Sequence, residues 1–347
     1  MASCSRLTAP SAIWARYGYA TWSPGDNAVK CRRCGELAQV ALPSHHTGFC
    51  APCFKTYFLR QVERGIHDHK QFSREDRILL AVSGGKDSLG LLLALTELGY
   101  PVEALHIDLA IPAASECARD TVEHFCRERS IVFHVVETAG KGLPIPEVKK
   151  HIKRPICSIC GKIKRHWFNR YSYENGYTVL ATGHNLNDEA ARLFANTLRW
   201  DQAYLAGQGP VMEAQGKFVR KVKPLCRVTE YETAAWCFLN GIEHVLSACP
   251  YSGGASFTGH KKLLADLEKR SPGMTMQFYE NFLRGGRPAF EALAANAPAL
   301  NACARCGYPT SQEICGVCRV KESLEAPADD KAHPGGVLPR KPDETAS

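Results

Sequence analysis

The sequence predicts an α/β protein in which a doubly wound parallel sheet is flanked by two small zinc ribbons. Three observations predict it. Short apolar strands alternate with helices between residues 77 and 241, a glycine turn follows the first strand, and a cysteine quartet stands near each end. Apolar strands without in–out alternation suit a sheet covered on both faces.

The first strand is Arg77–Val82 (RILLAV), followed by a helix through Leu98. Val102–Leu109 (VEALHIDL) forms a second strand, Ser115–Arg129 a helix, and Ile131–Glu137 (IVFHVVE) a third strand. A helix over Ser158–Glu174 leads to a fourth strand, Tyr177–Thr182 (YTVLAT), and Asn187–Trp200 and Glu230–Gly241 read as helices. In such a sheet ligands sit beyond the carboxyl ends of the strands. The expected organisation is an extension over 1–29, a ribbon over 30–56, the sheet domain over 57–295 and a second ribbon over 296–320. Residues 321–347, with four prolines and many charges, read as a disordered tail.

Composition excludes several classes. The 347 residues are 45% hydrophobic, enough for a sizeable core. No apolar run approaches the roughly 20 residues that span a bilayer. The first twenty residues lack a charged start followed by an unbroken apolar stretch, so the expected location is cytoplasmic. Sixteen cysteines in a reducing compartment are read for metals before disulfides. Cys31, Cys34, Cys50 and Cys53 form CxxC-x₁₅-CxxC, and Cys303, Cys306, Cys315 and Cys318 form CxxC-x₈-CxxC. Four thiolates at these spacings suit structural Zn²⁺, one ion each, with Gly35, Gly307 and Gly316 easing the knuckle turns. His45 and His46 are read as loop histidines.

The net charge of +8 is unevenly spread. Lys149–Arg170 holds eight Lys/Arg and two His without an acid, and Arg220, Lys221, Lys223 and Arg227 make a second basic stretch. Such blocks are solvated faces or seats for a polyphosphate partner. Inside the first block, Cys157 and Cys160 open a helix, where the helix terminus and neighbouring cations favour thiolate. A redox pair and part of a metal cluster both fit that CxxC.

At the carboxyl end of the first strand stands Ser83-Gly84-Gly85-Lys86-Asp87-Ser88. Its glycines let backbone N–H groups face an anion, and the next helix adds its positive end. The span is too short for a Walker A loop.

The run AVSGGKDS resembles the PP-loop of ATP pyrophosphatases, the adenine nucleotide alpha hydrolase-like fold, and ATGHNLND over 181–188 resembles that superfamily's second nucleotide motif. With two terminal ribbons, PICSICGKIKR and GIEHVLSACPYSGG, the chain from Cys31 to Cys318 resembles the tRNA 2-thiouridine synthetases of the TtuA/Ncs6 family. The resemblance implies ATP and Mg²⁺ on Ser83, Gly84, Gly85, Lys86, Asp87 and Ser88. Adenine would meet the backbone near Ile107, with Gly183 lining the pocket. It implies a [4Fe–4S] cluster on Cys157, Cys160 and Cys249, leaving one iron open. Cys226 is the rival third ligand; with Cys4, Cys117, Cys126 and Cys237 it is otherwise a core or surface residue.

The implied reaction adenylates O2 of a tRNA uridine and then replaces that oxygen with a cluster-bound sulfide. Lys164 would stabilise developing charge, the alternative being a solvent-facing lysine, and Asp188 would position or deprotonate the substrate, the alternative being a helix cap. Trp167 or Phe168 would stack on a base or serve the core. The family also implies a ubiquitin-like thiocarboxylated carrier as sulfur donor and a homodimer. Rival readings are a PP-loop 2-thiocytidine synthetase, a persulfide thiolase using Cys157 or Cys249, and a zinc-ribbon RNA-binding scaffold. Wobble and T-loop uridines are not distinguished by the residues.

Overall fold

The computed structural model describes residues 29–246, 249–251, 256–294 and 300–325. The chain opens with a hairpin, β1 (Val40–Leu42) and β2 (Thr47–Phe49), and runs directly into α1 (Ala51–Asp68). Then follow β3 (Ile78–Val82), α2 (Lys86–Glu97), β4 (Val102–Asp108), α3 (Ala114–Glu128) and β5 (Phe133–Glu137). The helices α4 (Ile145–His151) and α5 (Ile156–Glu174) lead to β6 (Val179–Thr182), α6 (Leu186–Arg199) and α7 (Gln202–Ala206). A short pair, β7 (Val211–Met212) and β8 (Arg220–Val222), precedes α8 (Glu230–Leu239), α9 (Ser256–Arg270), α10 (Met274–Asn281) and α11 (Arg287–Ala294). A second hairpin, β9 (Asn301–Ala302) and β10 (Pro309–Thr310), ends in α12 (Gly316–Glu325).

Six strands form the sheet in the order β5-β4-β3-β6-β8-β7. The first five are parallel, and β7 closes one edge antiparallel to β8. The chain builds outward from β3 to β5 on one side and then returns to place β6 on the other. The order therefore reverses between β3 and β6, and a crevice opens beyond their carboxyl ends. All four expected strands and five expected helices form. The sequence pattern assigns neither α1, α4, α7 nor α9–α11, and Arg220–Lys221 reads as a charge run rather than β8. Three residues carry too little pattern to announce a strand; pairing with Val179–Ala181 of β6 makes it one. α12 continues to Glu325, so its last turn occupies the first five residues of the expected tail.

Two apolar clusters cover the two faces of the sheet. On one face α1 buries Phe54, Phe58, Val62 and Ile66, an i, i+4, i+8, i+12 stripe, against α2 and α8. Phe58 stacks on Trp236 with ring centroids 4.6 Å apart and 5° between planes. The Trp236 indole N–H donates to the Gly90 carbonyl at 3.0 Å. A Cβ at Gly90 would stand 3.0 Å from Cys237 Sγ, so glycine lets α8 close on α2. Trp236→Ala therefore costs about 3–5 kcal/mol of stability, measured by urea unfolding. A cost below about 1 kcal/mol would show that this stack does not hold the layer.

On the other face Ile159, Ile163 and Trp167 of α5 pack with Leu79, Leu105 and Ile107 of the sheet. Cys303, Cys315, Cys318, Val317 and Val320 join the same cluster, so the C-terminal quartet is built onto the back of α5. Trp167 is core, and is not free to stack on a base. Among the described residues no helix is long and apolar enough to cross a membrane.

Candidate nucleotide and thiol site

β3 ends at Val82, and the turn Ser83-Gly84-Gly85 reverses the chain into α2, whose N-cap is Gly85. Gly84 has φ +79°, a left-handed conformation that glycine adopts without strain. The turn is tied to itself: the Ser83 N–H donates to Ser88 Oγ at 3.2 Å, and that hydroxyl donates to the Gly85 carbonyl at 3.0 Å. From another segment the Val245 N–H donates to the Gly84 carbonyl at 2.9 Å.

Gly183 follows β6, across the crevice. A Cβ there would lie 2.8 Å from Ser88 N and 2.9 Å from Ser88 Cα, so the first turn of α2 rests on this glycine. Next to it α6 starts with a capping box, in which Asn185 Oδ1 accepts from the Asp188 N–H at 3.0 Å and Asp188 Oδ2 from the Asn185 N–H at 3.2 Å. Two helix N-termini thus begin side by side at the switch point, an arrangement suited to phosphate. Ile107 has a buried side chain and stands one residue past the last β3–β4 pair, Val82↔His106.

Charged side chains ring this mouth. Lys86 Nζ lies 2.8 Å from Asp87 Oδ2 and 3.0 Å from Glu230 Oε1. Lys261 Nζ lies 2.6 Å from Asp188 Oδ1 and 3.1 Å from Glu230 Oε2. Burial would raise Glu230, but Lys86 and Lys261 outweigh it and hold the carboxyl at about 2. At Asp87 burial wins over Lys86 and pushes the carboxyl upward. Sequence reading missed Glu230 and Lys261. Glu230 follows the N-cap Thr229 in a TEYE capping box, a weak local signal, whereas nothing near Lys261 announces it.

The thiols gather at the start of α5. Cys157, Cys160 and Lys164 recur at i, i+3 and i+7, which puts them on one helical face. Cys157 is exposed and Cys160 half-buried. The Cys157 thiol donates to the Tyr251 carbonyl at 3.3 Å, which carries the 249–251 segment to this end of the helix, with Lys149 Nζ 4.3 Å over the Tyr251 ring. Burial raises the Cys160 thiol; Lys164 opposes this, while charge on Cys249 and Cys157 adds to it. The three sulfurs are therefore electrostatic neighbours. Cys226 lies elsewhere, buried among Leu186, Leu193, Leu205 and Tyr279, its thiol pushed up by burial to about 12. Cys126 and Cys237 are also buried.

Among the described residues two groups bring all their ligand atoms within 4.8 Å of one another, and they are the two cysteine quartets. Cys34 and Cys50 sulfurs are 3.5 Å apart and Cys306 and Cys315 sulfurs 3.7 Å. Thiolates bound at about 2.3 Å to one tetrahedral zinc stand about 3.8 Å apart, so the quartets fit a single ion each. Both knuckles turn alike, with Gly35 and Gly307 at positive φ donating to the carbonyls of Cys31 and Cys303. Burial works against a thiolate at Cys31 and Cys303, but backbone N–H groups of Cys50, Cys34 and Arg33, and of Cys315, Cys306 and Arg305, hold each at about 6. The trio at α5 is more open. Cys157, Cys160 and Cys249 are not among the groups that close on one point, and a cubane, which takes its thiolates on separate irons, does not require that.

For the second basic stretch, left open between a solvated face and a polyphosphate seat, the structure supplies partners. Arg220 pairs with Glu213, Lys223 with the buried Glu189 at 2.7 Å, and Arg227 with Glu280 and Asp68. Lys221 lies over the Phe218 ring, where burial brings its amine down to about 8. Arg220, Lys223 and Arg227 thus pair with carboxylates of the chain itself. In the first block Lys150 and Arg170 are likewise paired, while Lys153, Arg154, Lys162 and Arg165 face solvent. Lys153 and Arg154 stand just before the start of α5 and Lys162 and Arg165 in its first half, so the exposed charge lies toward the thiol end of the helix.

Fold and crevice together define an ATP-binding protein of the PP-loop class, and a PP-loop domain model matches residues 55–248. The model of the N-terminal LIM domain of the 2-thiouridine synthetase TtuA matches residues 30–55. The chain belongs to the TtuA family of tRNA 2-sulfurtransferases. It is 40% identical to the tRNA-5-methyluridine(54) 2-sulfurtransferase of Thermotoga maritima, over 86% of this chain and 97% of that one. To the protein of the same name from Thermus thermophilus it is 37% identical, over 85% and 91%. Its fold is similar to that of the U34-tRNA thiolase NcsA from Methanococcus maripaludis, solved with its [4Fe–4S] cluster. The TM-score is 0.72 with 27% identity, covering 85% of this chain and 96% of that one.

Proposed function

We propose that this protein is an ATP-dependent tRNA-uridine 2-sulfurtransferase and that its substrate is 5-methyluridine at position 54 of tRNA. One observation carries the choice of position: relatives at 37–40% identity, matched over 91–97% of their length, are named for that nucleotide. The thiolase named for U34 is more distant, at 27%.

The backbone N–H groups of Ser83–Ser88 and the helix ends of α2 and α6 hold the triphosphate, with Mg²⁺ neutralising it beside Asp87. O2 of the uridine attacks the α-phosphorus, the bond to the β-phosphate breaks, and pyrophosphate leaves. The C2–O bond, now to an adenylate, breaks as the C2–S bond forms, and AMP departs. Lys164, on the thiol face of α5, steadies the phosphate charge, and Asp188 orients the base. Cys157, Cys160 and Cys249 hold a [4Fe–4S] cluster, which when bound supplies an iron position open to sulfur. Each quartet holds Zn²⁺ as a structural ion. Lys153, Arg154, Lys162 and Arg165 draw tRNA phosphates to the thiol end of α5. The reading includes a ubiquitin-like thiocarboxylated carrier as sulfur donor, a homodimer and a cytoplasmic location, all on family resemblance.

Mass spectrometry of tRNA nucleosides from cells lacking the gene tests the reading. Loss of 5-methyl-2-thiouridine mapped to position 54 is the expected result. Loss of wobble 2-thiouridine would move the substrate to position 34, and loss of 2-thiocytidine alone, or no change, would overturn the proposal.

A further inference from the structure

The charged groups at the PP-loop mouth close into a ring. Asp87 is held by Lys86 and, at 3.0 Å, by the Asn185 amide. Lys86 reaches Glu230, Glu230 reaches Lys261, and Lys261 reaches Asp188, which bonds back to Asn185 in the α6 capping box. Three carboxylates and two ammonium groups leave one net negative charge. Their side chains are largely withdrawn from water, 14% exposed at Lys86 and 26% at Lys261. Withdrawing so many charges is costly, and apolar packing would hold helices together at least as well.

Position suggests what the ring serves. On one side lies the crevice where α2 and α6 begin. On the other lies a cleft of about 640 Å³ lined by Glu230 and Lys261 together with Asn187, Thr229, Ser44 and His45. Lys261 therefore stands between the phosphate seat and open solvent, on α9, an element outside the PP-loop motifs. In an adenylation the charge that grows and must depart is that of the β- and γ-phosphates. Lys86 is fixed at the first residue of α2, whereas Lys261 reaches in from a separate helix onto two carboxylates that a phosphate can replace.

We propose that Lys261 binds the pyrophosphate half of ATP and its leaving product, exchanging Glu230 and Asp188 for phosphate oxygens, and that the 640 Å³ cleft is the pyrophosphate exit. This rests on the reading of the protein as a base-adenylating thiolase. Lys261 is then a catalytic cation of the adenylation step, and Glu230 its resting partner.

The test measures inhibition by inorganic pyrophosphate and the KM for ATP, using holoenzyme and tRNA. Lys261→Gln weakens pyrophosphate inhibition about tenfold or more and raises the KM for ATP, as expected for a lost charged hydrogen bond. Lys261→Arg regains most of both, and Arg270→Ala, at the exposed end of α9, changes neither. The double variant Lys261→Gln/Glu230→Gln restores the ring to one net negative charge and still binds pyrophosphate weakly. Unchanged inhibition in Lys261→Gln, or recovery in the double variant, would overturn direct contact. If Lys261→Gln does not fold, Lys261→Met replaces it. Should the wild-type enzyme release no pyrophosphate with tRNA, the thiolase reading fails. Calorimetric binding of pyrophosphate to wild type and Lys261→Gln then still decides the role of Lys261, equal affinities overturning it.

Discussion

Cys249→Ser lowers tRNA thiolation by about 100-fold or more, beyond what losing a hydrogen-bond partner of a metal ligand costs. The variant also loses iron and acid-labile sulfide. Cys249 is exposed, on a segment whose neighbours are pinned at both sides: Val245 to the Gly84 carbonyl and Tyr251 to the Cys157 thiol. Serine offers a protonated hydroxyl in place of a thiolate, leaving Cys157 and Cys160 with no third soft ligand. The zinc expected in each quartet stays, because neither quartet draws a ligand from this trio. ATP binding also persists, since no PP-loop residue changes. Cys226→Ser, in the rival cysteine, keeps iron and activity, because that thiol is sealed in an apolar cluster. Full iron and full thiolation in Cys249→Ser would remove Cys249 from the site, and iron loss in Cys226→Ser would promote its rival.

Gly183→Ala lowers productive ATP use about 100-fold while leaving the fold and the iron content intact. The added methyl would sit 2.8 Å from Ser88 N, with the Asp87 carbonyl carbon and Ser88 Cα at 2.9 Å. These are backbone atoms of the first turn of α2, which cannot swing aside as a flexible side chain would. Relief requires β6 and α2 to part, costing about 1–3 kcal/mol of stability. It also displaces the N–H groups that face the phosphates, and a shift of about 1 Å there costs about 100-fold in pyrophosphate release. Gly140→Ala, where a Cβ meets nothing within 4 Å, changes neither quantity. Pyrophosphate release by Gly183→Ala within about threefold of wild type would show that the two motifs tolerate separation.

These two sites differ in how far they could be read in advance. The PP-loop, the ATGHNLND run and the CxxC pairs are contiguous strings, and contiguous strings declare themselves. CxxC followed by lysine four residues on also lies on one face by helical geometry alone, so Cys157, Cys160 and Lys164 could be grouped from spacing. Cys249 could not be. It stands about ninety residues further along the chain, and only family resemblance attached it to the pair before the Tyr251 contact was in view. Gly183 was expected to line the nucleotide pocket. The structure adds a second reason for glycine there, the backbone of α2 against it. Asp188, read as a group acting on substrate or as a helix cap, does cap α6, and its pairing with Lys261 had no signal in the sequence.

The sequence by itself determined the doubly wound sheet, its first four strands, the anion-binding turn and the two metal quartets. In each case the signal is local: an apolar run, a glycine turn or a fixed cysteine spacing forms the same structure wherever it stands. Only the tertiary structure decided the rest. It made Arg220–Val222 a strand by pairing it with β6, and it gave Arg220, Lys223 and Arg227, readable as a solvated face or a polyanion seat, carboxylate partners of the same chain. It also brought Glu230 and Lys261 from separate helices onto Asp87 and Asp188. The physical reason is that a charge in sequence has no assigned partner. Whether it meets water, phosphate or a carboxylate depends on which distant segment folding lays beside it, and on how little water is left between them.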